Sequence, residues 1–267
     1  MTHTGPRTPR GSLARNATVG SGMLAGVITA FPGGAAALSK LFRRRYPTVA
    51  VTGMTGVGKT ALADRLTRHT TPEGPLDVGS ATLERRTRRS SKLRGFRFRV
   101  VPGENAATRL GALDQVFHDE PVAGVLHVVA NGYATPRRAG GISGQGVASR
   151  EEQLAAELED FSITAHRVAS MAVRRDHPTW LIVAVTKADL YPGDIDEVVR
   201  YYSPGGDSPF ARKLEELRSL TGGAKLSIDV LPVCAQGGGR KSPMPTKQCG
   251  ALISALETRM AQLSGHI

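Results

Sequence analysis

An α/β fold with a mostly parallel sheet is predicted by the way strand and helix patterns alternate along the chain. The apolar strand pattern Thr48-Val49-Ala50-Val51-Thr52 leads through a glycine-rich loop into a helical pattern that carries Leu62 and Leu66. The uninterrupted apolar run at 180–185 is typical of a strand that is covered on both faces, and a second, largely apolar run lies at 228–233. We therefore expect three layers, with helices on both sides of a central sheet.

The elements between and after these runs follow the same alternation. A helix is predicted around 110–117, a strand at 122–129 and a polar, glycine-rich loop at 131–148. The next helix has one apolar face, which consists of Leu154, Leu158, Phe161, Ala165, Val168 and Ala172. Helix starts are indicated by Ser149 with Glu152, by Asp194 with Glu197, and by Ser208 before Pro209. The last helix carries Leu252, Leu256, Met260 and Leu263.

Length and composition indicate one globular domain preceded by an arm. The chain has 267 residues, of which 40% are hydrophobic, enough for one core. We expect residues 1–46 to form a basic, Gly/Ala-rich, flexible arm and residues 47–267 to form the domain. The two cysteines, Cys234 and Cys249, provide no disulfide framework and favour a reducing compartment. We therefore expect a cytoplasmic protein, with membrane attachment through the arm left open.

The net charge of +12 is concentrated in two segments. Residues 1–46 contain seven basic and no acidic residues, and residues 85–99 contain eight basic and no acidic residues. Such segments favour RNA or an anionic membrane surface, while the alternative is a solvated tail and a solvated hairpin.

The loop Gly53–Thr60 has the sequence and the setting of a phosphate-binding loop, because it joins a strand to a helix. Its glycines allow turns in which successive N–H groups point at phosphates. Lys59 is expected to reach the β- and γ-phosphates, and the Thr60 hydroxyl to bind Mg²⁺. The predicted phosphate-binding residues are Gly53, Met54, Thr55, Gly56, Val57, Gly58, Lys59, Thr60 and Ala61.

Thr186-Lys187-Ala188-Asp189 follows the strand run at 180–185 and has the residues needed to read a guanine base. The Asp189 carboxylate can accept from the two N–H groups on the Watson–Crick edge of guanine, whereas adenine has no matching pair of donors. The Lys187 stem can lie over the purine ring. The sequence therefore predicts a guanine nucleotide, GTP or GDP, as the ligand.

With these two motifs in this order, the chain resembles the translation-factor-like and Ras-like P-loop GTPases from about residue 45 to the C-terminus. The resemblance implies a G domain, Mg²⁺-dependent GTP binding and a two-state switch. It also implies a third base-pocket motif, for which Cys234-Ala235-Gln236 is the candidate, with cysteine replacing the family's serine. Cys234 is equally expected to be a buried structural thiol.

The second switch departs from the family pattern. Aligning Gly103 with the family glycine places Val100 where these GTPases have an aspartate that holds Mg²⁺ through a water. Gly103 keeps the expected role of donating its N–H to the γ-phosphate. Glu104 occupies the position of the residue that orients the attacking water, with a solvated turn residue as the alternative. We expect weak Mg²⁺ dependence and slow hydrolysis.

The first switch should supply a threonine to Mg²⁺. Thr82 is the first candidate and Thr87 the second.

Together these features predict a switch protein that binds GTP and hydrolyses it slowly with Mg²⁺. The catalytic assignments are Lys59, Gly103 and Glu104. Two alternatives stay open, a GTP-binding scaffold without turnover and a module whose nucleotide site gates binding to RNA or membrane. An effector or activator protein is an expected partner, and the sequence leaves the oligomeric state open.

Overall fold

Six strands form one sheet in the order β2-β3-β1-β4-β5-β6 in the computed structural model of the chain. The structure describes residues 46–67, 84–87, 95–103, 106–119, 122–135, 148–236 and 243–265. The strands are β1 (Thr48–Thr52), β2 (Glu84–Thr87), β3 (Arg97–Val100), β4 (Gly124–Val129), β5 (Thr179–Val185) and β6 (Leu226–Pro232). All neighbouring strands are parallel except β2, which pairs antiparallel with β3. The predicted mostly parallel sheet is confirmed.

Helices cover both faces of this sheet. They are α1 (Lys59–Thr67), α2 (Ala106–Asp114), α3 (Arg150–Arg174), α4 (Ile195–Tyr202), α5 (Pro209–Thr221) and α6 (Thr246–Leu263). A π-helical turn, Gln115–Asp119, extends α2, and a short 3₁₀ turn, Ala188–Leu190, follows β5. Because side chains alternate along a strand, Val49 and Val51 of β1 pack with α1 and α6, whereas Ala50 packs with the helices of the opposite layer. The three-layer prediction is thereby confirmed.

The helix starts agree with the sequence signals to different degrees. At α3, the Ser149 hydroxyl accepts from Glu152 N at 3.2 Å and the Glu152 carboxylate accepts from Ser149 N at 2.7 Å, which completes a capping box. Ser208 caps α5 by accepting from Ala211 N at 2.9 Å. Asp194 precedes α4, but its side chain makes no capping hydrogen bond. Of the described helices, none has the length and apolarity needed to cross a bilayer.

The described residues fall in one compact unit, Arg43–Ile267. Residues 1–45 lie outside them, so the arm and its boundary stay predictions.

Candidate nucleotide-binding site

The loop between β1 and α1 lies at the carboxyl edge of the sheet, where α/β proteins bind ligands. Gly53, Gly56 and Gly58 have φ values of +128°, +81° and +96°. A β-carbon on Gly53 would stand 2.2 Å from the Val128 carbonyl oxygen, so the loop can follow this path only with glycine there. The loop therefore has the backbone form that a phosphate cradle requires.

Lys59 folds back over this loop. The residue is 8% exposed, and its Nζ donates to the carbonyl oxygens of Gly53 and Met54 at 2.8 Å each. An ammonium group in this position has its charge at the mouth of the cradle, next to the positive end of α1. The geometry suits a bound polyphosphate.

Gly103, the candidate glycine of the second switch, lies directly against the phosphate loop. A β-carbon on Gly103 would lie 2.6 Å from Thr55 Oγ1, 2.7 Å from Lys59 Nζ and 2.8 Å from Thr55 N. Three hydrogen-bond donors thus surround one small region. Within the described part of the chain, the buried Thr55 Oγ1 has no hydrogen-bond partner. A hydroxyl without a partner, next to an N–H and an ammonium, fits a terminal phosphate of a nucleotide.

Thr186 and Lys187 tie the candidate base-reading motif to this cradle. The Thr186 hydroxyl lies 2.6 Å from the Val57 carbonyl oxygen. Lys187 has a left-handed φ of +58°, and its Nζ contacts Gly56 O at 3.1 Å and Thr135 Oγ1 at 2.7 Å. The two motifs, although far apart in the chain, therefore form one site.

Asp189 lies beside Cys234, the serine-like residue of the third motif. Cys234 Sγ donates to Asp189 Oδ1 at 3.2 Å and is 1% exposed. Burial, and then hydrogen bonds with Cys249 and Asp189, raise the pKa of Cys234, so the group stays a thiol and keeps its proton for Asp189. Both expectations for Cys234, a buried thiol and a part of the pocket, are compatible with this arrangement. Ala235 and Gln236 follow at the pocket edge, half-buried and exposed.

The segment Ala130–Thr135, here called the bridge segment, contains the start of the predicted loop 131–148 and joins both motifs. Thr135 N donates to Gly56 O at 3.0 Å, and Tyr133 O accepts from Lys187 Nζ at 2.5 Å. The Tyr133 ring stacks on Tyr191 at 5.9 Å between centroids and 17° between planes. The structure has no helix or strand at 131–135, in agreement with the predicted loop, and adds contacts that were not predicted. The Asn131-Gly132 pair and the following tyrosine were the available signals of a structured turn.

The candidate metal ligands are only partly described. Thr60 lies at the start of α1, whereas Thr82 and Glu104 lie outside the described residues, and Thr87 is described only as part of β2. Val100 is 2% exposed and packs in the apolar cluster with Val51 and Phe98, so it cannot hold a metal-bound water. In the described ranges, no group of three or more His, Cys, Asp or Glu side chains forms a metal cluster. Thr60 fits Mg²⁺ as one ligand of an incomplete set.

Two arginines of the basic segment 85–99 have a described environment. Arg99 is 5% exposed and Arg97 is half-buried, both in β3. Residues 88–94 lie outside the described part. At least Arg99 is therefore unsuited to bind a polyanion from solution.

A buried polar cluster beneath the phosphate loop was not predicted. Thr52 Oγ1 lies 3.0 Å from His127 Nδ1, His127 Nε2 lies 3.9 Å from Asp160 Oδ2, and Asp160 forms an ion pair with Arg109. Burial, reinforced by the charges of Arg109 and Lys59, lowers the pKa of His127 to about 3. Burial raises the pKa of Asp160 to about 6, against the opposing effect of Arg109. His127 is therefore neutral at physiological pH and connects α2 and α3 to the end of β1.

His127 should make the fold sensitive to acid. Its pKa is below the ordinary value, so the unfolded chain binds a proton that the folded chain excludes, and stability is lost as the pH falls through 6.5 toward 3. Between pH 7 and pH 5 we expect the free energy of unfolding to fall by about 2 kcal/mol less in His127→Asn than in wild type. Urea unfolding at both pH values measures this difference.

Asp160 titrates in the opposite direction, but it is present in both proteins and largely cancels in the comparison. His166→Asn, on an exposed histidine of α3, is the control and should behave as wild type. Equal acid sensitivity in His127→Asn would contradict the neutral, buried state of His127.

Comparison with known proteins agrees with this fold. The chain is similar in structure to the mammalian SRP receptor (14% identity, 81% of this chain and 99% of that chain, TM-score 0.51). It is also similar to the bacterial selenocysteine-specific elongation factor EF-Sec (16% identity, 83% of this chain, TM-score 0.47) and to the FeoB G-domain from Methanococcus jannaschii (15% identity, 82% of this chain and 98% of that chain, TM-score 0.40). The fold is that of a P-loop G domain.

These likenesses establish the fold and no more. This chain spans 29% of the length of the elongation factor. No protein-family model matches the sequence, and no curated protein matches it significantly. The G-domain resemblance drawn from the two motifs is thus confirmed for the fold, while the roles of the individual site residues stay predictions.

Proposed function

We propose that the chain is a guanine-nucleotide switch protein that binds GTP and hydrolyses it slowly to GDP and phosphate. The observation that carries this proposal is the direct connection between the two motifs. The Thr186 hydroxyl and Lys187 Nζ contact carbonyl oxygens of the phosphate loop, so a base read by Asp189 is held at a fixed distance from the phosphates. A pocket of this form selects the base and the phosphates together.

The base end of the pocket has the means to prefer guanine. Asp189 is half-buried, and the Cys234 thiol fixes one carboxylate oxygen through its hydrogen bond. A guanine base would pair its two donors with this carboxylate, whereas an adenine base would leave the carboxylate unpaired. An unpaired buried acceptor costs about 1–3 kcal/mol, which corresponds to roughly tenfold to a hundredfold in affinity.

At the phosphate end, each residue would have a separate task. Backbone N–H groups of the loop would hold the phosphates, Lys59 would neutralise their charge, and Gly103 would contact the terminal group from the side of the second switch. Bound Mg²⁺, with Thr60 among its ligands, would supply further charge neutralisation. Gly103 precedes α2 in the chain, so loss of the terminal phosphate would change the position of that helix first.

The rival function is a GTP-binding scaffold without turnover, and Val100 favours it. A buried valine replaces the acid that would help to hold the metal, which weakens the case for hydrolysis but leaves the binding pocket intact. A partner protein could supply a group that takes the place of this missing acid, and an activator is therefore part of the proposal. Binding to RNA or an anionic membrane through residues 1–46 and 85–99 remains a further proposal.

Calorimetric titration tests the proposed function directly. The purified protein is titrated with GDP, a slowly hydrolysed GTP analogue and ATP, each with and without Mg²⁺, and phosphate release is then followed with GTP. We expect guanine nucleotides to bind at least about tenfold more tightly than ATP, with slow phosphate release. Guanine-selective binding without release would support the scaffold. Equal affinity for ATP would exclude a guanine pocket.

A further inference from the structure

Glu157, near the middle of α3, is a buried carboxylate with partners on two other elements. It is 1% exposed. Its Oε1 accepts from the backbone N–H groups of Ala130 and Gly132 at 3.0 and 3.2 Å, and its Oε2 accepts from the Tyr202 hydroxyl at 2.5 Å. The side chain therefore connects the end of β4 with the end of α4, although it belongs to none of the sequence motifs.

The two amides that Glu157 holds lie at the start of the bridge segment. Downstream in the same short segment, Tyr133 O and Thr135 Oγ1 accept from Lys187 Nζ, and Thr135 N donates to Gly56 O. A carboxylate at the start of the segment thus determines where acceptors for Lys187 lie at its end. This series of hydrogen bonds connects α3 with the phosphate loop and with the candidate base pocket.

A buried carboxylate carries a desolvation cost, which its hydrogen bonds must offset. Burial raises the pKa of Glu157, and the hydrogen bonds from Tyr202, Ala130 and Gly132 act against this effect. The negative charge of Glu157 also acts on Lys187. Burial lowers the pKa of Lys187, and the negative charge of Glu157 is the first of two that oppose the change, the second being Asp189. Glu157 therefore supports Lys187 both by position and by charge.

We propose that Glu157 is a positioning residue of the nucleotide site, which fixes the bridge segment and, through it, Lys187. This inference rests on the proposed function. Among the described residues, the hydrogen bonds of Glu157 go to Ala130, Gly132 and Tyr202 and not to the phosphate loop or the base-reading motif. Its contribution to binding is therefore expected to depend on Lys187.

The test compares Glu157→Met and Glu157→Gln, two side chains of similar size that differ in the acceptor. The probe is GDP, measured by calorimetry. We expect Glu157→Met to weaken GDP binding about tenfold, because two buried N–H groups lose their acceptor and the segment shifts. Glu157→Gln should bind GDP within about threefold of wild type, because its carbonyl can accept from the same two amides. Glu159→Gln, on the exposed side of α3, is the matched control and should not change binding.

A double-mutant cycle separates positioning from general destabilisation. If Glu157 acts through Lys187, the effect of Glu157→Met should shrink to less than about threefold in a Lys187→Met background. An undiminished tenfold effect in that background would overturn the proposal, as would wild-type affinity in folded Glu157→Met. Should Glu157→Met alone fail to fold, the double variant Glu157→Met/Tyr202→Phe, which leaves no unpaired tyrosine hydroxyl, replaces it in the cycle.

The wild-type titration distinguishes the two levels of inference. Guanine-selective binding by wild type together with unaffected binding by Glu157→Met would overturn the role of Glu157 and leave the proposed function standing. Absence of GDP binding by wild type would overturn both.

Discussion

Replacing Lys59 with alanine should weaken the binding of GDP and of a GTP analogue by at least about a hundredfold, the largest effect that we expect from a single substitution in this chain. The Lys59 ammonium is buried and held by the carbonyl oxygens of Gly53 and Met54 at the mouth of the cradle. A bound polyphosphate would gain a charge-assisted contact there, in a place where solvent cannot substitute for it. Calorimetry of the folded variant measures the loss.

The fold should survive this substitution, because Lys59 stabilises a binding site more than a core. The apolar side chains that attach α1 to the sheet, Leu62, Ala63 and Leu66, are unchanged. Arg65→Ala, which removes a positive charge from the exposed face of the same helix, serves as the control and should bind nucleotide normally. Retention of tight binding by Lys59→Ala would mean that the loop Gly53–Thr60 does not hold phosphates.

The sheet and both motifs could be predicted because each depends on neighbours in sequence. The run 180–185 predicted a strand, and β5 spans Thr179–Val185 with every residue buried. The glycine spacing in Gly53–Thr60 determines the backbone path of the loop, because the positive φ angles that this path requires fall on glycines of the loop itself. The same holds for Ser149 and Glu152, whose reciprocal bonds span three positions. In such cases the physical cause is local, and the sequence contains all of it.

The side-chain contacts between distant elements could not be predicted from the sequence in the same way. Glu157 lies on the apolar face of α3, three residues after Leu154 and four before Phe161, so the spacing could have indicated its burial, but the spacing does not say which groups it meets there. Its role depends on where β4 ends relative to α3, which only the folded sheet decides. His127 and Asp160 are a similar case, because each lies in an apolar pattern and their proximity joins a strand to a helix. The Val100 position was predicted from alignment alone, and the structure adds that its environment is apolar.

Asp189→Asn should change which base the pocket accepts. The asparagine amide offers one acceptor and one donor side, so it can no longer accept from both guanine donors. We expect affinity for GDP to fall by roughly ten- to a hundredfold, and affinity for xanthosine diphosphate, which has a carbonyl oxygen in place of the guanine amino group, to rise. Titration of wild type and variant with GDP, xanthosine diphosphate and ADP measures both changes.

The contacts between the base-reading motif and the phosphate loop make Asp189→Asn a specific test of base recognition. The side chains of Thr186 and Lys187 hold the base-reading motif on the phosphate loop, and neither is altered by the substitution. The amide oxygen of the introduced asparagine could still accept from the Cys234 thiol. The substitution therefore changes the group that faces the guanine base and little else. Asp196→Asn removes the same charge from the exposed first turn of α4 and should leave the base preference unaltered. If Asp189→Asn kept the guanine preference, Asp189 would not face the base, and the selectivity would have to arise from backbone groups around Ala235. If guanine affinity fell without a gain for xanthosine diphosphate, the carboxylate would matter through its charge rather than through its two acceptors.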